Sequence, residues 1–118
     1  MQANISSNLF NNFYDMDIRL VGSSNINATG NDGDNTLISN SGSNVLDGGA
    51  GTDTTSFELF WNPVDASLVS NIASGDGSDT LISIENLIGS IYNDNLKGKY
   101  ANFYSFFALK KQYVSAVH

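Results

Sequence analysis

Apolar residues enter this chain singly and at long intervals through its middle, then crowd together towards its end. In the stretch GNDGDNTLISNSGSNVLDGGAGTDTTS, from Gly30 to Ser56, Leu37 and Leu46 stand nine residues apart amid glycine, asparagine, aspartate and serine. That is neither the spacing of an amphipathic helix nor the alternation of an ordinary hairpin. The stretch divides without gaps into three nonads: GNDGDNTLI from Gly30, SNSGSNVLD from Ser39 and GGAGTDTTS from Gly48. Glycine fills the fourth place (Gly33, Gly42, Gly51), an amide or carboxylate the sixth (Asn35, Asn44, Asp53), and Leu37, Leu46 and Thr55 the eighth. Such a tandem period predicts stacked units. In each, six residues form a tight loop in which glycine takes the left-handed conformations other residues avoid. The last three form a minimal strand whose alternation turns the eighth residue inward and its neighbours outward.

The pattern weakens on both sides of this block. SGDGSDTLI from Ser74 and GSIYNDNLK from Gly89 repeat it around Asp79, Leu81, Asp94 and Leu96. Between Phe57 and Ala73 the glycine rhythm stops: FELFW and Pro63 are followed by Val64, Ala66 and Leu68, which alternate with polar residues as a strand does. This part is expected to be irregular filler with a large apolar rung, in preference to an exposed Trp61 that meets sugar or another protein. Thr55 leaves its inward place small, and Phe57, two residues on, is positioned to fill it. At the end, Phe103, Phe106, Phe107, Lys110, Tyr113, Val114 and Val117 fall roughly at helical spacing, with aromatics on one side. A stack exposes its last rung, so this tail is expected to be an aromatic cap, helical by its spacing. A C-terminal export signal and an extension foreign to the repeats fit the same residues. The division expected is 1–29 as an irregular N-terminal flank, 30–98 as the repeat region and 99–118 as an aromatic and basic cap.

Composition narrows the chemistry. The chain has 118 residues, no cysteine and a net charge of −7, and between Arg19 and Lys97 it places ten Asp or Glu residues and no Lys or Arg. Disulfides and thiolate metal sites are excluded, and oxygen is the abundant ligand type. Such a surface repels nucleic acid and attracts hard cations. The N-terminal residues lack the basic start and apolar run of a secretory signal, and the patch from Phe103 to Leu109 is too short to span a bilayer.

The nonads follow GGxGxDxUx, with U a large apolar residue, and the sequence resembles the RTX, or haemolysin-type calcium-binding, repeat proteins over roughly Gly30 to Gly98. ISIENLIGS, between the later repeats, is similar to the linking turn of many bacterial members. The resemblance implies an all-β fold, a right-handed parallel β-roll of about four short rungs. Two nonads would complete a turn, so loops eighteen residues apart would stack and share an ion. Gly30–Asn35 and Gly48–Asp53 then form the one complete loop pair, and the loop Ser39–Asn44 would face segments around Gly22 and Asn62. The ligands implied for Ca2+ are Asp53, Asn35 as its weaker counterpart, and carbonyls of Gly30, Asp32, Gly48 and Ala50. Gly33 and Gly51 (with Gly49) shape the loops, and Asp79 and Asp94 come next, although their spacing of fifteen departs from the eighteen that a shared ion requires. Asn35 and Asn44 stand where aspartate is usual, which weakens the sites.

One inward leucine per nine residues, worth roughly 1.5 to 3 kcal/mol, does not offset the ordering of nine backbones. Calcium is therefore expected to supply much of the remainder, with binding and folding linked. Rival chemistries fail. An EF-hand from Asp32 would need glycine and glutamate where Leu37 and Ser43 stand, and no GxxxxGK is present. The only histidine is His118, at the terminus, and Glu58 and Glu85 make a weak case for a glycosidase pair. The expectation is a non-enzymatic calcium-binding module of a secreted protein, extracellular without an N-terminal signal. The alternative is an adhesion or recognition module that presents Trp61, Phe60 and the tail aromatics to a protein or carbohydrate.

Overall fold

The seventh to ninth places of the three nonads from Gly30 to Ser56 do form three-residue strands, because β-branched and apolar residues there follow loops too rich in glycine and asparagine to extend further. In the computed structural model, residues 2–3, 7–8, 17–75, 77–98, 106–108 and 111–115 are described. They form fourteen strands and no helix: β1 (Gln2–Ala3), β2 (Ser7–Asn8), β3 (Asp17–Leu20), β4 (Ala28–Thr29), β5 (Thr36–Ile38), β6 (Val45–Asp47) and β7 (Thr54–Ser56) come first. After them come β8 (Asp65–Ser67), β9 (Ile72–Gly75), β10 (Gly77–Ile82), β11 (Asn86–Ile88), β12 (Asn95–Lys97), β13 (Phe106–Ala108) and β14 (Lys111–Ser115). No helix long and apolar enough to cross a membrane is present among the described residues.

From β1 to β8 successive strands alternate between two open sheets. The first has the order β1-β3-β5-β7-β11-β14-β13 and the second β12-β8-β9-β10-β6-β4-β2. β1, β3, β5, β7 and β11 pair in parallel, as do β2, β4, β6 and β10. Leu37 lies opposite Thr55 and Ala28 opposite Leu46, the step of eighteen residues that two nonads per turn require. Pairing also reaches into residues 17–29, which carry no nonad. Both sheets are mixed, since β9 runs antiparallel to β8 and β10, and β14 antiparallel to β11 and β13.

A single core lies between the sheets. Leu37, Leu46, Leu81 and Leu96, the eighth-place residues, are buried, together with Ile18, Leu20, Ala28, Ile84 and Leu87. Thr55 is buried too, and Phe57 beside it fills the larger space. Val64, Ala66 and Leu68 all point inward, as their alternation predicts. Phe57 and Phe60 meet edge to face with ring centroids 5.2 Å apart, so the segment FELFW does supply an apolar rung. Trp61 is not part of it and stands 79% exposed.

Three expectations are corrected: Trp61 is exposed where the sequence favours filler, and two more concern the path of the chain. The segment around Asn62 does not cover the loop Ser39–Asn44. After Leu68 the chain reverses at Asn71 (φ 62), and the excursion through β9 and β10 places β10, not β8, against β6. The described part of the tail is not helical: Phe106–Ala108 and Lys111–Ser115 are strands. The edge of β11 carries backbone N–H and C=O groups that need partners, and β14 supplies them where a helix would not. Phe103, Lys110 and Val117 lie outside the described residues.

Candidate functional site

The residue just before each strand is the focus of the stacked loops. Asn35, Asn44 and Asp53 occupy this place, Asp79 holds the matching position inside the longer β10, and all four are buried. A buried carboxylate in such a place needs a donor or a cation. The donor comes from the coil before: the N–H of Asn35 donates to Asp53 Oδ1 at 2.8 Å, and the N–H of Asn44 to Asp79 Oδ1 at 2.9 Å. The N–H of Val64 likewise donates to Asp94 Oδ1 at 2.8 Å, and that of Asp53 to Glu85 Oε1 at 2.7 Å. An outer set runs in the opposite sense. Asp34 accepts from the N–H of Thr52, Asn25 from that of Ser43, Asn27 from that of Val45 and Asp17 from that of Thr36. Every loop of the block is thus tied to its neighbours by side-chain oxygens on backbone donors.

These ties leave one conspicuous atom. Asp53 is fully buried, and while Oδ1 is engaged, Oδ2 has no hydrogen-bond partner. Burial pushes the Asp53 carboxyl up to about 7; the Asn35 N–H opposes this, and the nearby charges of Glu85, Asp34 and Asp47 add to it. Asp79 is pushed up to about 6 by burial, against the pull of the Asn44 N–H. Asn44 Oδ1 is also buried without a hydrogen bond, its amide nitrogen being spent on the Ile26 carbonyl.

Backbone carbonyls line the same space. A Cβ added to Gly48 would stand 2.6 Å from Asp53 Oδ2 and against the Ser83 carbonyl. One added to Gly30 would meet Asn35 Oδ1 at 2.5 Å and the Gly48 carbonyl. Both places thus combine the sixth-place oxygen of their own loop with a carbonyl from the next coil. Only glycine leaves room there. A carboxylate oxygen without a donor beside a backbone carbonyl is the kind of oxygen pair a hard cation takes. On this observation the residues around Gly48 and Asp53 fit calcium. Among the described residues, at this place as elsewhere, no group of three or more Asp, Glu or His side chains gathers as a cation site, so backbone carbonyls would have to supply much of the donor set.

The other predicted positions separate. Asn35 lies across from Asp53, but its side chain is engaged within its own loop: Oδ1 accepts from the Asn31 N–H and Nδ2 donates to Asn31 Oδ1, each at 3.0 Å. Gly33 donates its N–H to Asn31 Oδ1, and Gly51 (φ 89) packs against the Gly33 carbonyl. Asp32 and Ala50 are exposed. Asp79 and Asp94 are not brought together, since β10 stacks on β6 and β12 on β8. Asp94 Oδ1 also accepts from the Ser90 hydroxyl at 2.6 Å.

Reading by nonads alone misses Glu85 as a site residue. It belongs to the linking turn, yet it immediately precedes the strand Asn86–Ile88 as Asp53 precedes Thr54–Ser56. An acidic residue one place before a three-residue strand is the signal that finds it. Compared with known proteins, the chain matches no family model, no curated protein and no solved structure.

Proposed function

We propose that this chain is a calcium-binding structural module of the RTX type, in which the two sheets are the walls of a right-handed parallel β-roll and folding is coupled to the ion. The observation that carries this reading is Asp53 Oδ2, a fully buried carboxylate oxygen with no donor, close to the Ser83 carbonyl and to the charges of further acids. When bound, calcium would neutralise that charge. Asp53 and the Ser83 carbonyl would hold it, and Glu85 would stand behind them. The low number of charged ligands places the affinity in the range of extracellular modules, about 10⁻⁴ to 10⁻³ M. An exported protein that meets such calcium only outside the cell would fold there. The nonads, the eighteen-residue step and the inward leucines support the same reading.

A calcium titration followed by circular dichroism tests it. The wild-type chain is expected to gain β-structure in the millimolar range, and Asp53→Ala to lose most of that gain. An equal β-signal in excess chelator, unchanged by calcium and by the substitution, would reject the reading. A second reading, an extracellular recognition module on the same scaffold, is favoured by the exposure of Trp61; Phe60 is buried and takes no part in it.

A further inference from the structure

Trp61 borders a groove of about 210 Å³ lined also by Arg19, Val21, Gly22, Ser41 and Leu59. The loop that carries it is anchored. Phe57 and Phe60 are buried in the core and stacked on each other, and the N–H of Phe60 donates to the Phe57 carbonyl at 3.0 Å. An indole on so fixed a base is exposed by the fold, not by local looseness. Arg19 stands on the outward face of β3 at the same groove. Between it and Lys97 the chain has no other cation, and among the described residues no ion pair occupies its guanidinium.

We infer that this groove binds a monosaccharide unit bearing a carboxylate, a uronic or sialic type of acid, with its ring face on Trp61 and its carboxylate on Arg19. The inference deepens the recognition reading and rests on it; it does not depend on the calcium reading. A flat indole face takes the apolar side of a pyranose, and a guanidinium forks onto a carboxylate. The groove is smaller than the roughly 300 to 1,000 Å³ of pockets that enclose drug-sized ligands, which suits one ring and not a longer segment. A nucleotide offers the same pairing of ring and anion. Its several phosphate charges would find only one arginine in the groove, on a chain of net charge −7, whereas a uronate brings a single charge.

Trp61 is the only tryptophan, so its fluorescence reports on the groove directly. The chain, kept in excess calcium, is titrated with glucuronic acid, N-acetylneuraminic acid, glucose and sodium acetate. At least one acidic sugar is expected to give a saturable change, and glucose and acetate at least about tenfold weaker ones, the worth of roughly one charge-assisted hydrogen bond. Arg19→Gln, with its circular dichroism unchanged, is expected to weaken the acidic sugar by about the same factor. Trp61→Ala, followed by calorimetry, is expected to abolish binding. No response to either acid, equal responses to acid and glucose, or acetate binding as well as the sugars would each overturn the inference. Acrylamide quenching separates the two failures. An indole shielded from quencher would remove the recognition reading as well, while an accessible one with no sugar response would remove only the saccharide.

Discussion

The block from Gly30 to Ser56 and the segment from Phe57 to Ile82 belong to one stack, yet they are held by different forces. In the block each coil buries one eighth-place side chain, Leu37, Leu46 or the small Thr55, and its loops are joined by side-chain oxygens on backbone N–H groups. The following segment has few such loops and buries Phe57, Phe60, Val64, Ala66, Leu68, Ala73 and Leu81. Apolar burial is non-directional and tolerates irregular chain paths, so the second segment can hold an inserted hairpin. The polar ladder is directional. It demands a constant step, which is why eighteen residues separate Asp34 from Thr52 and Asn35 from Asp53, while 32 separate Asp53 from Glu85. Where the step changes, the ladder survives because the residue before the next strand still falls opposite, here a glutamate.

Three measurements can break this division. Among single substitutions the largest effect is expected from Phe57→Ala, which removes the ring stacked edge to face on Phe60 and should cost about 3 to 5 kcal/mol in urea denaturation. The loss should be the same at the lowest calcium concentration that folds the chain and at saturating calcium. If it vanished at saturating calcium, the apolar segment would not be an independent source of stability.

The next effect is a dependence on pH confined to the ladder. Asp53 titrates near the ordinary aspartate value of 3.8 when unfolded and at about 7 when folded, and Asp79 at about 6, so between these values the folded chain keeps protons that the unfolded chain has released. Stability of the calcium-free chain is therefore fully present below about pH 4 and falls as pH rises towards 6 and 7, by at most about 1.4 kcal/mol per unit for each group. Melting temperature against pH reads this slope. Asp53→Asn should remove its upper part. On the calcium reading, saturating calcium should flatten it, because the ion favours the ionised form. A melting temperature that rose from pH 4 to 7 without calcium would contradict the uncompensated burial of Asp53.

The smallest effect compares two glycines with the same backbone strain. Gly22 (φ 84) has nothing within 4 Å of the methyl an alanine would add, whereas at Gly51 (φ 89) that methyl would stand 2.6 Å from the Gly33 carbonyl of the coil before. Gly22→Ala should cost only the left-handed conformation, about 1 to 2 kcal/mol, and Gly51→Ala more than that by thermal denaturation. Equal costs would mean that the stacked loops can move apart freely.

Much of this is legible in the residues. The period of nine sets the strand positions, the inward place of Leu37, Leu46, Leu81 and Leu96, and the burial of Asn35, Asn44, Asp53 and Asp79, because each depends only on local alternation and a fixed repeat. The partners of the irregular parts are not legible. Asp79 answers Asn44 across 35 residues and Asp94 answers Val64 across 30, separations that follow from the hairpin and from no local rule. The tail shows the same limit from the other side. Its spacing favours a helix, but an open strand edge beside it offers hydrogen bonds that only another strand can accept in register.

The sequence by itself determined the unit: a glycine-shaped loop, an oxygen-bearing residue before each strand and one side chain turned inward. Only the tertiary structure decided which units meet, that Glu85 stands against Asp53, that Asp53 Oδ2 is left without a donor, and that Trp61 faces outward beside Arg19. The reason is that conformation within a unit is fixed by neighbours along the chain. Contacts between units depend on how much chain is spent between them, and the hairpin at residues 68–82 changes that length in the middle of the stack.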